Sequence, residues 1–465
     1  MQHKISRMLT PGRLALATMV AALGACGDID ERGGAAADGD AVIEGKLELV
    51  LVGDGVTSHP EYFLSTQARG DRWLRLEFGD NPGLAGFHPT NDGNSHFHMV
   101  GGADVRLGGS FLDADTMLVD SLQQVAATAP GDGVATTGAA LIAASPKKVA
   151  VILANFTNDA SQPITPEAAR AMVFTAATST NAYYKEQSFG VRSLTGIARA
   201  DGDVFGWYPI NAVSTTCDYV TWGNLARTAA QNAGVNLSGY SQVIHYFPRS
   251  ATCGWSGVGQ LPGRYTWING SSSSTIAHEL GHNFGVHHAS SLTCTNAAGE
   301  RAAISDTCTS SEYGDPFDVM GRGYRHMNAY QKGRLGFLEA PNTATAVASG
   351  TFTIAPIEQP STGALTVRVP IPATLPQLYY YVELRQPSSF DNFASTSSVT
   401  NGVLIHRNPD YATLARTQLI DASPVTSSFN DAALPVGGTF TDAAAAISIS
   451  VSAVSATGAT IQITR

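Results

Sequence analysis

Eleven residues near the middle of the chain have the types and spacing that metal chemistry needs: His278-Glu279-Leu280-Gly281-His282-Asn283-Phe284-Gly285-Val286-His287-His288. On a helix, His278 and His282 lie one turn apart on one face, so both imidazoles reach a single ion. Glu279 stands beside the first of them, where a carboxylate can hold and deprotonate a metal-bound water. Gly285 takes a left-handed conformation at little cost, which ends the helix and turns the chain back. That turn brings His288 under the metal as a third nitrogen ligand. Three histidines leave the fourth tetrahedral position of zinc open for water, the mark of a catalytic site rather than a closed structural one. His287 is the rival third ligand, but it is one residue short of the Gly-x-x-His spacing. It is expected to face solvent or to support a ligand from behind.

The segments around this helix must position it. Lys147 to Ala154 reads as a buried strand, and Thr165-Pro166-Glu167 as a helix start with Thr as N-cap. That helix is expected to run to about Gln187. Strands are expected over Val191 to Ala200 and Val204 to Ile210, then a helix from about Thr221 to Ala233 and a strand over Gln242 to Phe247. A Gly-rich stretch, Gly254 to Gly270, leads into the metal helix and would border its cleft as an edge strand that pairs with extended substrate. A last helix covers Asn328 to Leu338. The order implies a mixed α/β layer with the metal helix beneath it.

The ends of the chain have other textures. Residues 1–26 read as an export signal: Lys4, Arg7 and Arg13 precede a short apolar core, Leu14 to Leu23. The signal ends in Leu23-Gly24-Ala25-Cys26, which resembles a bacterial lipobox and implies lipidation of Cys26 and a place in the cell envelope. An ordinary secretory signal is the alternative. Residues 27–45 lack apolar bulk and read as a flexible tether, and residues 46–145 as a small β-rich domain, either a pro-domain or an accessory module. His88, His96 and His98 cluster in it with the spacing of an exposed loop. Residues 339–465 contain many short alternating strands and indicate a β-sandwich. The other four cysteines suggest two disulfides in an oxidising compartment; of three pairings, Cys217–Cys253 and Cys294–Cys308 is the most local. The net charge of −10, with no basic stretch to offset it, argues against a nucleic-acid partner. No calcium-ligand spacing rises above background, so calcium has no support.

The motif His278-Glu279-x-x-His282-x-x-Gly285-x-x-His288, with Met320 downstream, resembles the metzincin zinc endopeptidases. In those enzymes the methionine lies in a turn beneath the metal. Glu312-Tyr-Gly-Asp-Pro-Phe-Asp-Val-Met-Gly321 and His326 to Phe337 resemble the gametolysin-type peptidases over roughly residues 147–338, and a weaker likeness reaches Tyr380 to His406. The resemblance implies a metzincin-like catalytic domain at 146–338, bound Zn2+, and hydrolysis of peptide bonds in an extracellular protein or glycoprotein. Glu279 would be the general base. Some metzincins use a tyrosine two residues after the methionine; here the nearest is Tyr324, four after it, a candidate for stabilising the tetrahedral intermediate or for packing. The competing reading is a surface adhesin or carbohydrate-binding protein with a vestigial zinc site. Against it, Glu279 is no ligand and serves only turnover. Membrane contact is expected only through the lipid anchor, and the oligomeric state is left open.

Overall fold

An eleven-stranded sheet runs from the N-terminal strands to those that cover the metal helix. The computed structural model describes residues 41–70, 72–78, 101–125, 146–338, 340–374, 377–409 and 416–465. The export signal, Cys26 and the His88, His96, His98 group lie outside the described residues. So does the tether up to residue 40. Its expected end at residue 45 moves back, because a strand begins at Ala41 and pairs with Gly109 from there.

Strands β1 (Ala41–Gly53), β2 (Ser58–Ser65), β3 (Leu74–Glu77), β4 (Asp104–Asp113) and β5 (Thr116–Gln124) pair in the closed cycle β1-β2-β3-β5-β4. Alternate residues point inward, and Leu47, Leu49, Leu64, Leu74, Leu107 and Met117 fill the small barrel. At thirteen residues, β1 is longer than its neighbours. One of its sides pairs with β4 as far as Lys46 and is then open.

The rest of the sheet fills that opening. It contains β6 (Lys147–Asn155), β7 (Leu194–Thr195), β8 (Asp203–Pro209), β9 (Gln242–Phe247), β10 (Gly257–Gln260) and β11 (Tyr265–Asn269). β6, β9 and β11 are parallel, and β10 runs antiparallel to β11. On its other side β10 pairs with β1, Val50 opposite Gln260 and Leu51 opposite Gly259. The Gly-rich segment is therefore an inner strand, not the expected edge.

Among the described residues, five α-helices accompany these strands: α1 (Pro166–Arg170), α2 (Thr180–Gln187), α3 (Tyr219–Asn232), α4 (Ser273–Phe284) and α5 (Ala329–Arg334). α3 lays Trp222, Ala226 and Ala230 against Ile152, Val243 and Trp267 on one face of the sheet. α4 lays Ile276, Ala277 and Leu280 against Val151, Ile244 and Ile268 on the other. The single helix expected from Thr165 to Gln187 is broken. Thr165 caps α1, the chain turns extended at Ala176, and the Ser179 hydroxyl accepts from the Ala182 N–H to start α2. Short hydroxyl side chains compete for backbone N–H groups, and the Ser and Thr run at 178–180 uses that to restart the helix. The strand expected over 191–200 shrinks to β7.

The expected boundary at 338 is crossed as well. β12 (Ala289–Thr295), β13 (Arg301–Ala302) and β14 (Thr307–Ser311) belong to a nine-stranded sheet with the C-terminal strands. β12 runs parallel to Thr417–Ile420, Ala289 opposite Thr417. A four-stranded sheet lies over it, and Val382, Ile405, Phe440 and Ile461 from the two sheets share one core. Both local disulfides form, Cys217–Cys253 and Cys294–Cys308, the second tying β12 to β14. No helix among the described residues is long and apolar enough to cross a membrane.

Candidate metal centre

α4 brings His278, Glu279 and His282 under β10. The helix ends at Gly285, whose φ of 102° lies in the left-handed region; its N–H bonds back to the carbonyls of Gly281 and His282. The chain then reverses and His288 faces the helix, its ring 4.8 Å from that of His282 and 5.2 Å from that of His278. Gly281 is small for a reason: a Cβ there would lie 2.5 Å from the sulfur of Met320. The fully buried Met320 thus sits directly against the metal helix, and its carbonyl accepts from the Ala289 N–H at 2.9 Å.

Each of the three imidazoles has its Nδ1 engaged. That of His278 meets the Val319 carbonyl at 2.8 Å, that of His282 the Val286 carbonyl at 2.9 Å, and that of His288 the Glu312 carboxylate at 2.6 Å. All three partners are acceptors, so the hydrogen bonds assign the proton of each neutral ring to Nδ1 and the lone pair to Nε2. Burial favours the neutral rings. It holds His278 down to about 4, and His282 and His288 well below the usual histidine range. The Nε2 atoms of His282 and His288 face each other at 3.1 Å. With no proton between them, these lone pairs repel unless a cation lies among them. The ligating atoms of His278, His282 and His288 all fall within 4.8 Å of one another. Three neutral nitrogens in that arrangement are a donor set that suits zinc.

Glu279 is buried beside this group, and the loss of hydration pushes its carboxyl well above the usual range. Glu279 and His278 line a cavity of about 210 Å³ with Gly53, Asp54, Gly55 and Tyr313. The first three form the turn between β1 and β2, so the N-terminal barrel reaches the mouth of the site. The Asp54 carboxylate braces the turn by accepting from the N–H groups of Val56 and Thr57 at 2.8 Å each.

At two positions the structure chooses between the expected readings. Tyr324 lies away from the cavity: its ring stacks on Tyr183 at 5.2 Å and its hydroxyl donates to the Thr178 carbonyl at 3.3 Å. The tyrosine at the cavity is Tyr313, whose ring lies 3.9 Å from that of His288. His287 is buried rather than solvent-facing, and its Nδ1 accepts from the His288 N–H at 2.7 Å. It thereby braces the backbone of a ligand. Sequence reasoning assigned no role to Glu312, Tyr313 or Asp54. The first two stand in the quoted motif, but nothing in residue type announces which imidazole they meet.

Residues 147–413 match the family model described as gametolysin peptidase M11. No curated protein matches the chain.

Proposed function

The chain belongs to the gametolysin peptidase family, and on that premise we propose that it is an exported zinc endopeptidase of metzincin type. The observation that carries this reading is the convergence of three unprotonated Nε2 atoms beside the buried Glu279, which lines a cavity together with His278. His278, His282 and His288 would hold the ion. Zinc there supplies a Lewis acid and brings the pKa of a water towards neutrality. Glu279 takes a proton from the attacking water as its oxygen bonds to the peptide carbonyl carbon. The same carboxyl returns that proton to the leaving nitrogen as the C–N bond breaks. Met320 supports the floor of the site. The substrate is an extracellular or cell-surface protein, and Cys26 would anchor the enzyme through lipid.

The barrel bears on how that substrate arrives. β1 covers two residues of β10 on the side where an extended peptide would add as a strand. The turn 53–55 stands at the cavity. In this reading the region 46–145 is a pro-domain whose departure opens the cleft. The N-terminus of active enzyme, read by mass spectrometry, is expected after residue 125; a start before Ala41 in fully active protein would make the barrel an accessory module instead. The catalytic reading is tested by zinc content and casein cleavage with and without a chelator. Glu279→Gln should keep the metal and lose cleavage, and retained cleavage would remove Glu279 from the chemistry.

A further inference from the structure

The three imidazoles are not held alike. His278 and His282 are oriented by main-chain carbonyls, which no substitution of a side chain removes. His288 alone is oriented by a side chain, Glu312. That carboxylate is buried, and its contacts come from three residues, His288, Ser58 and Arg416. Its Oε1 accepts from His288 Nδ1 at 2.6 Å and from the Ser58 hydroxyl at 2.5 Å, and pairs ionically with the Arg416 guanidinium at 3.0 Å. Its Oε2 accepts from the Ser58 N–H at 3.0 Å. Ser58 opens β2 of the barrel, and Arg416 lies next to the C-terminal strand Thr417–Ile420.

We propose that Glu312 is the positioning residue of the metal centre, and that it links metal affinity to both flanking β regions. The proposal rests on the zinc-peptidase reading. The carboxylate keeps the proton of His288 on Nδ1, turns Nε2 towards His278 and His282, and raises the basicity of the ring through its charge. Ser58 and Arg416 in turn fix the carboxylate. Departure of the barrel would remove two of its hydrogen bonds and leave Arg416 as its only restraint besides His288. A metal ligand role for Glu312 itself, with His287 and His288, would need His288 to turn Nδ1 away from its present bond.

The test uses the full chain and measures zinc affinity by competition with a chromogenic chelator. It also measures zinc stoichiometry, kcat and KM on a peptide, and thermal unfolding of the metal-free protein. Glu312→Ala should weaken zinc binding by about 10–100-fold. Glu312→Gln, which still accepts from Nδ1–H but has lost the charge, should fall between Ala and the parent chain. Arg416→Ala and Ser58→Ala, each removing one bond to the carboxylate, should weaken zinc by smaller factors. If Glu312→Ala does not fold, Glu312→Gln and Arg416→Ala carry the test. Zinc affinity within twofold of the parent in these variants would overturn the proposal, even if the metal-free protein melts lower. A second zinc ion per chain that Glu312→Ala abolishes would overturn it too, by making Glu312 a ligand. His288→Ala separates the two readings: if it also leaves zinc affinity unchanged, the metal site itself has been misplaced.

Discussion

Where the N-terminal barrel meets the rest of the chain the contact is mainly apolar. Val50, Val52, Phe63 and Trp73 enter the core beneath α3, and Trp73 lies 5.7 Å from Tyr265 and 6.0 Å from Trp267. Where the C-terminal strands meet it, apolar packing such as Phe317 on Leu404 and Leu419 surrounds a buried ionic cluster. Arg385 is fully buried and touches Glu358 at 3.0 Å, Glu383 at 3.1 Å and Asp391 at 2.6 Å. It also donates to the carbonyls of Phe317 and His326, on either side of the Met320 turn. Parting that seam rewets its apolar surface and gives up the β1–β10 pairing and the bonds of Ser58 to Glu312. A buried charge cluster tolerates no such loss, because any partner that leaves strands a charge in a poor dielectric. The contrast suits the covering role proposed for the barrel, while the C-terminal region is part of the frame that holds the Met320 turn.

The contrast is open to attack at several points. Arg385→Met should cost about 3–5 kcal/mol, since three carboxylates lose their cation. A urea titration that moves by less than 1 kcal/mol would show that the weld is not ionic in effect. Val50→Ala removes about two buried carbon groups at ~0.8 kcal/mol each from the seam opposite Gln260. Stability should drop by that modest amount while casein cleavage rises. Cleavage that falls instead would make the barrel part of the working enzyme.

Acid should separate the two regions. Burial alone would raise the Glu186 carboxyl, but its bonds from His326, the Ser388 hydroxyl and the Phe390 N–H hold it down at about 2. A depressed carboxyl stabilises the fold above its unfolded value near 4.5, and that contribution is lost as pH falls from there towards 2. His326 is held down to about 4 by burial and by Lys332, so its folded form resists a proton that the unfolded chain accepts from about pH 6.5 downward. Both effects weaken the C-terminal weld in acid. At the seam the sign reverses. Burial raises Glu48, which bonds Gln260 across β1 and β10, so protonation favours its folded form. Hydrogen exchange, corrected for intrinsic rates, should lose protection at Arg385 to Asp391 before β1 as pH drops from 7 to 4. The opposite order would reverse the comparison. The smallest effect belongs to Lys46→Ala. Lys46 and Asp104 form an exposed pair inside the barrel, and its loss should leave both stability and cleavage where they were.

Much of the site was legible because its determinants are local. His278, Glu279 and His282 share one helical turn, and Gly285 sits where a left-handed residue must reverse the chain. Strands such as Gln242–Phe247 were legible for the same reason, since a run of β-branched and aromatic residues declares a strand without reference to any neighbour. What a strand pairs with is another matter. Three of the seven residues from Gly254 to Gln260 are glycines, and they offer no side-chain pattern to announce that β1 would lie alongside. The break at Ala176 is not announced by the Thr165-Pro166-Glu167 start; it rests on the Ser179 hydroxyl that caps α2.

The sequence by itself determined the three converging imidazoles and the carboxyl beside them, which depend on residues close along the chain, as well as the family and the most local disulfide pairing. Only the tertiary structure decided that β10 has a partner on both sides, that Tyr313 rather than Tyr324 lines the cavity, and that Glu312 orients His288. Those contacts are set by how sheets stack and chains return. Ser58 and Glu312 stand 254 residues apart, and a hydrogen bond between them exists only once the barrel has closed and docked.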